Sequence, residues 1–256
     1  MYQEERIDAI MKHLSQYERI GVQEVCQQFN ISRDTARRDL LKMEEQGLLI
    51  RTHGGAILPK KTKEVYDYNE RLIREGDEKR EIGAFAASLV KSGEFIMMDA
   101  STTVQFAAEN IAAQNLVAVT NSIDIADVLS KKPSIRIHLL GGELNPQHRF
   151  VYGQSTIDKL ADYQVDKLFL GACGISSRGV SYPHEEDGRV KREMIKRANQ
   201  VIVLADHTKF HVQMFYRIAE LEAIDLLITD QRPDQAMIDI LHEHKVELLI
   251  VSEEER

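Results

Sequence analysis

From residue 93 onward one pattern repeats: a short apolar run, a polar or glycine-rich group, then a stretch with helical spacing. Phe95-Ile96-Met97-Met98 runs into Asp99, residues 116–119 into Thr120-Asn121-Ser122, and residues 135–140 into Gly141-Gly142. Residues 167–170 run into Gly171-Ala172-Cys173-Gly174 and residues 201–204 into Asp206, with last runs at 226–228 and 248–250. Strands this short and this continuously apolar are buried on both faces, and helices between them make them parallel. The pattern predicts an α/β domain: a doubly wound, mostly parallel sheet with helices on each side. Ligands of such sheets bind outside the carboxyl ends of the strands, where strand order reverses.

Those ends carry chemistry. Asp99-Ala100-Ser101-Thr102-Thr103 sets hydroxyls and backbone N–H groups at a helix start, which suits an anion. Thr120-Asn121-Ser122 repeats the arrangement, and Gly141, Gly142, Gly171 and Gly174 offer bare backbone that a ligand can approach. Asp206-His207-Thr208-Lys209 adds a carboxylate for hydroxyl groups and an ammonium for phosphate. Singly, a Ser/Thr cluster before a helix is an N-cap and Gly-Gly a turn. Five such ends on one sheet edge suit a phosphorylated polyol or sugar. His207 and His211 stand four apart with no third ligand, and His242-Glu243-His244 reads as surface helix, so no metal is expected. Gly171 to Gly174 lacks the third glycine of a dinucleotide fingerprint, and no cofactor is expected. Cys173 has no base beside it in sequence and reads as a small buried residue.

The first sixty residues follow another rule. Ile7, Ile10, Met11 and Leu14 predict a helix over about 3–15. Gly21 breaks it, and Val22, Val25, Cys26 and Phe29 mark a second helix ending near Asn30. Ser32 is an N-cap for a third, running to Glu45, with Asp34 at its positive end and Gly47 as its stop. A strand over 48–52 and a turn at His53-Gly54-Gly55 complete a winged helix-turn-helix. In that geometry Ala36, Leu40 and Met43 face inward. Ser32, Arg33, Thr35, Arg37 and Arg38 face a duplex groove, and Arg51, His53 and Gly54 reach the flanking backbone. The competing interpretation is a solvated helix whose arginines pair with Asp34, Asp39 and Glu44; the order of elements favours the groove. Charge agrees. The net charge of −8 argues against nucleic acid, but residues 1–63 hold 11 basic and 9 acidic residues, against 22 and 32 in the remainder.

Residues 6–40 resemble the DNA-binding signature of the DeoR family of bacterial repressors, through Arg6, Ile10, Leu14, Ser32, Thr35, Ala36, Arg37, Arg38, Asp39 and Leu40. Leu49-Ile50-Arg51-Thr52-His53-Gly54-Gly55-Ala56 is similar to that family's wing, and Ala36 stands where isoleucine is usual. The strand ends quoted above, with residues 204–210, resemble the family's sensor domain; Ala100 departs from its usual glycine. The resemblance implies a fold similar to ribose-5-phosphate isomerase, a phosphorylated sugar as effector, and contacts from Arg149, Glu185 and Glu186. It also implies a repressor of a carbohydrate-catabolism operon.

Three segments are expected. Residues 1–58 form the DNA-binding domain, 59–92 a Pro/Lys hinge with connecting helices broken at Gly76, and 93–256 the effector-sensing domain. The expected partners are double-stranded operator DNA, the sugar phosphate and further copies of the chain, as a dimer or tetramer. No apolar stretch is long enough to span a membrane. The acidic start and two distant cysteines, Cys26 and Cys173, predict a reducing cytoplasm. The alternative is an isomerase-like enzyme, with Asp99, Glu185, Asp206 and Lys209 moving protons.

Overall fold

The computed structural model describes residues 3–17, 19–45, 48–52, 54–57 and 66–254. The chain divides into two compact units, 1–64 and 65–256. The first holds α1 (Gln3–Tyr17), β1 (Arg19–Gly21), α2 (Val22–Phe29), α3 (Arg33–Glu45), β2 (Ile50–Thr52) and β3 (Gly55–Ile57). Ile10 and Leu14 of α1, Val25 of α2, and Ala36, Leu40 and Met43 of α3 form its buried core. The expected helix order is present. Asn30 turns left-handed to end α2, and the Ser32 hydroxyl accepts the Thr35 N–H at 3.2 Å to open α3. β1 escapes the sequence pattern, because three residues show no alternation. It pairs antiparallel with β3, giving the order β1-β3-β2. Gly55 permits this pairing, since a side chain there would collide with the backbone of Ile20 and Gly21. The stop expected at Gly47 and the wing residue His53 lie outside the described residues.

The second unit opens with α4 (Tyr68–Ile73) and α5 (Gly76–Ser88). β4 (Phe95–Met98), α6 (Thr102–Asn110), β5 (Leu116–Thr120), α7 (Ile123–Ser130) and β6 (Ile135–Leu139) follow. Next come the hairpin β7 (Glu143–Asn145) and β8 (Phe150–Tyr152), then α8 (Gln154–Leu160), β9 (Val165–Gly171), β10 (Gly174–Ser176), β11 (Gly179–Tyr182) and α9 (Glu185–Lys196). β12 (Ala198–Leu204), β13 (Tyr216–Ala219), β14 (Leu226–Thr229), α10 (Gln235–Glu243), β15 (Glu247–Ile250) and α11 (Val251–Glu254) complete it.

The apolar runs are the strands of one seven-stranded parallel sheet, ordered β15-β14-β12-β9-β4-β5-β6. From β4 the chain moves outward to β6, then returns to β9 on the other side of β4. Strand order therefore reverses between β4 and β9. Helices cover both faces, as a doubly wound sheet requires. On one, Ile82 and Ala86 of α5 and Val104 of α6 pack on Ile96, Met98 and Phe169. On the other, Leu160, Val190, Met194 and Leu241 pack on Met97, Leu168 and Val203. Gly83 brings α5 close to α6, because a side chain there would meet Phe106 and Ala107. Two small antiparallel sheets, β7-β8 and β10-β11-β13, have no counterpart in the sequence pattern. Their strands are three or four residues long and include Glu143, Asn145 and Arg217.

Candidate functional site

The first candidate surface is α3. Ala36, Leu40 and Met43 are at most 1% exposed, while Arg33, Arg37 and Arg38 are exposed and form no ion pair among the described residues. Two of the three acids expected to neutralise them, Asp39 and Glu44, are engaged elsewhere. Asp39, itself buried, accepts from Arg6 Nε and Gln3 Nε2, both at 2.8 Å, which ties α3 to α1. Glu44 takes the Arg51 N–H at 3.1 Å and lies 3.9 Å from its guanidinium. Asp39 thus belongs to the fold, and the arginines before it are exposed. The Ser32 and Thr35 hydroxyls lie 2.9 Å apart at the helix start. Arg33, Arg37, Arg51 and the exposed Gly54 line one cleft of about 670 Å³.

The second candidate lies at the carboxyl edge of the sheet. Asp99 sits at the reversal point, fully buried. Its Oδ1 accepts from Ser101 N and Gly171 N, each at 3.2 Å, bridging the ends of β4 and β9. Its Oδ2 takes the ammonium of Lys191 on α9, which is 1% exposed. Asp187, one turn earlier, stands 3.5 Å from the same ammonium. Burial opposes the Lys191 charge, but Asp187 and Asp99 outweigh it and raise its pKa. Burial raises the Asp187 carboxyl against the pull of Lys191. The carboxylate proposed as a base in the enzyme alternative is thus committed to two N–H groups and an ammonium.

The Ser101, Thr120 and Ser122 hydroxyls are committed as well. Ser101 Oγ caps α6 through Val104 N, and Ser122 Oγ caps α7 through Ile125 N, both at 3.2 Å. Thr120 Oγ1 donates to Met98 O and accepts from Ser122 N. Thr102 and Thr103 are buried in the first turn of α6. Asn121 Nδ2 donates to Val151 O at 3.1 Å. Of the four strand-end glycines, Gly141 alone faces open space. A side chain at Gly142 would strike Thr156, at Gly171 Ser101, and at Gly174 the backbone of Val212, so packing within the chain explains these three. Lys209 pairs with Asp206 at 3.2 Å. Burial opposes the Asp206 charge, yet Lys209, Thr208 and Lys79 hold its pKa below the usual value. Arg149 pairs with Asp124 at 2.8 Å, and Glu185 and Glu186 are exposed at the start of α9.

Sequence reasoning missed Lys191, Asp187, Arg71, His148 and Lys79. An Asp187–Lys191 pair four apart on a charged helix was the one signal present. The buried side-chain atoms without a hydrogen-bond partner among the described residues are Arg71 Nε, Asn121 Oδ1, His148 Nδ1 and Asp187 Oδ1. They converge on this edge. Asn121 follows β5, and its amide and backbone carbonyl both engage Val151. His148 stacks on Phe150 and lies 5.0 Å from the ring of His184, which caps the helix carrying Asp187. Burial, with Arg71 and His184 adding, pushes His148 down to about 4. Orphaned buried polar atoms are uncommon in native folds, and each is a place where water, an ion or a ligand can complete the bonding. Burial pushes the Cys173 thiol up, which suits a packing residue. His207 binds Asp230 at 2.6 Å and His211 binds Asp234 at 3.0 Å, two separate pairs. No helix among the described residues is long and apolar enough to cross a membrane.

Comparison with known proteins identifies both units. Residues 6–62 match the DeoR-like helix-turn-helix domain and residues 74–231 the DeoR C-terminal sensor domain. The chain is 52% identical over 255 residues to the HTH-type transcriptional repressor GlcR of Bacillus subtilis, covering 100% of this chain and 99% of that one. It is 30% identical over 251 residues to the glycerol-3-phosphate regulon repressor of Escherichia coli, covering 97% and 99%. Among solved structures, ribose 5-phosphate isomerase A of Methanocaldococcus jannaschii is 16% identical, with a TM-score of 0.39 over 53% of this chain and 55% of that one. A helix-turn-helix unit followed by a seven-stranded α/β unit, matched end to end by these relatives, means that the chain belongs to the DeoR family of transcriptional regulators.

Proposed function

We propose that the chain is a sequence-specific repressor of a carbohydrate-catabolism operon, released from its operator by a phosphorylated sugar. The observation that carries this is the two-sided character of α3: an apolar side fixed in the core, and Arg33, Arg37 and Arg38 outward without acidic partners among the described residues. Guanidinium groups on the first turns of such a helix bond guanine edges and phosphates. In this reading residues 1–58 bind DNA, 93–256 hold the ligand, and 59–92 connect them. Ser32, Arg33, Thr35, Arg37, Arg38, Arg51, His53 and Gly54 contact the duplex. The ligand site draws on residues 99, 101–103, 120–122, 141, 142, 149, 171, 174, 185, 206 and 209, with no cofactor and no turnover. The names of the two relatives favour repression over activation. A dimer or tetramer supplies two α3 helices, spaced for half-sites about one helical turn apart.

Release requires that the ligand bind the DNA-free arrangement more tightly, with a coupling of about 1–3 kcal/mol, a 5- to 150-fold effect. The test is fluorescence anisotropy of labelled duplex from upstream of the chain's own gene. Hexose 6-phosphates, pentose 5-phosphates and glycerol 3-phosphate are titrated in, each beside its unphosphorylated parent. The proposal expects one phosphorylated compound to weaken DNA binding at least about fivefold while its parent does nothing. Binding that ignores the whole panel removes the effector half of the proposal; binding that ignores DNA sequence removes the operator half.

A further inference from the structure

The cations at the carboxyl edge differ in their commitments. Lys191 has Asp99 and Asp187, Lys209 has Asp206, and Arg149 has Asp124. Lys79 donates to the carbonyls of Arg71, at 2.6 Å, and Arg74, closing the end of α4. Arg71 has no ion pair among the described residues, and its buried Nε has no hydrogen-bond partner. Its guanidinium lies 5.4 Å from the centroid of the Tyr68 ring. Its position is fixed. The Tyr68 hydroxyl bonds Gln105 of α6, the Tyr68 N–H bonds Gln147 O at 3.1 Å, and Lys79 caps the helix below. The same helix is bonded to Gln147, the neighbour of His148, whose Nδ1 is another of the orphaned atoms, and the Arg71 charge adds to the burial that lowers the His148 pKa. A buried guanidinium edge without an acceptor is costly, and Arg is the side chain best matched to a bidentate oxyanion.

We infer that Arg71 is the residue that binds the anionic group of the ligand, on a helix that sequence reasoning left outside the site. The inference rests on the proposed function and deepens it: the ligand's phosphate is read by α4, the first helix after the boundary between the two units. The neutral parts of the ligand are left to the strand ends, where Asn121 Oδ1 accepts a hydroxyl.

The experiment is calorimetric titration of the full chain with the same sugar phosphates, their parents and inorganic phosphate, for wild type, Arg71→Met, Arg71→Lys and Arg74→Met. Arg74 is exposed and stacks over Tyr66, three residues along α4. Arg71→Met is expected to lose at least tenfold in affinity for the phosphorylated compound while still binding DNA, with Arg74→Met unchanged. Arg71→Lys keeps the charge without the fork and is expected to fall between. Wild-type affinity in Arg71→Met overturns the role of Arg71 and leaves the proposed function standing. Failure of every phosphorylated compound to bind wild type at millimolar concentration overturns the effector class, and this inference with it. Should Arg71→Met fail to fold, Arg71→Lys decides: an affinity loss of threefold or more supports the assignment, and unchanged affinity overturns it.

Discussion

Replacing Lys191 with methionine removes one partner of an ion pair in which both side chains are at most 1% exposed. Asp99 is then a buried carboxylate held by two backbone N–H groups alone. Breaking a buried pair from one side costs about 3–5 kcal/mol. For a unit of this size each kcal/mol moves Tm by about 2–4 °C, so the expected loss is roughly 6–20 °C. Asp99→Asn with Lys191→Met removes both charges, and an asparagine Oδ1 can still accept from Ser101 and Gly171. The double variant is therefore expected to regain at least half of the loss. The chain has eight tyrosines and no tryptophan, so tyrosine fluorescence with circular dichroism follows the transition. The transition that unfolds the sheet is the one to compare. A Lys191→Met chain within about 1 kcal/mol of wild type, or a double variant no better than the single, refutes the reasoning that this pair anchors the edge.

Three further outcomes follow from the same structure. His148 titrates at about 4 when folded and near 6.5 when unfolded, so the unfolded chain binds the extra proton between those values; stability is expected to fall as pH drops through that window, by up to about 1.4 kcal/mol per pH unit, and urea unfolding at pH 7 and pH 5 of wild type and His148→Asn measures it. Leu40→Ala opens the buried side of α3 and is expected to cost about 2–5 kcal/mol in the first unit, abolishing DNA binding at 37 °C while ligand affinity in the second unit persists. Gly171→Ala places a methyl group against Ser101 and is expected to lower Tm and weaken ligand binding together; a change in affinity with unchanged Tm shows that Gly171 touches the ligand instead.

The sheet was legible because each of its strands is an apolar run closed by a polar residue, a signal that burial on two faces imposes. The helix-turn-helix was legible because its caps and spacing are local: Asn30, Ser32 and the Ala36–Leu40–Met43 stripe fix it without distant partners. β1, β7, β8, β10, β11 and β13 were not, since strands of three or four residues carry no period. The strand-end half of the candidate site could be proposed because Asp99, Thr120 and Asn121 interrupt apolar runs. The helical half could not. Lys191 and Asp187 lie in a helix rich in Glu, Asp, Arg and Lys that reads as solvated surface, and Arg71 in a segment read as connection. Only the tertiary arrangement turns those side chains inward, and no local spacing records it.

The account rests most directly on α3 and its outward arginines. Anisotropy of the operator duplex, measured across 50–200 mM salt for wild type and Arg37→Ala/Arg38→Ala, tests it without knowledge of the ligand. Each lost phosphate contact should flatten the slope of log affinity against log salt by about 0.9, and each lost guanine contact should weaken binding by about 1–3 kcal/mol while relaxing sequence preference. The predicted result is a folded double variant with at least tenfold weaker operator binding and a shallower salt slope. Operator affinity and salt dependence equal to wild type would contradict the assignment of α3 as the element that reads DNA.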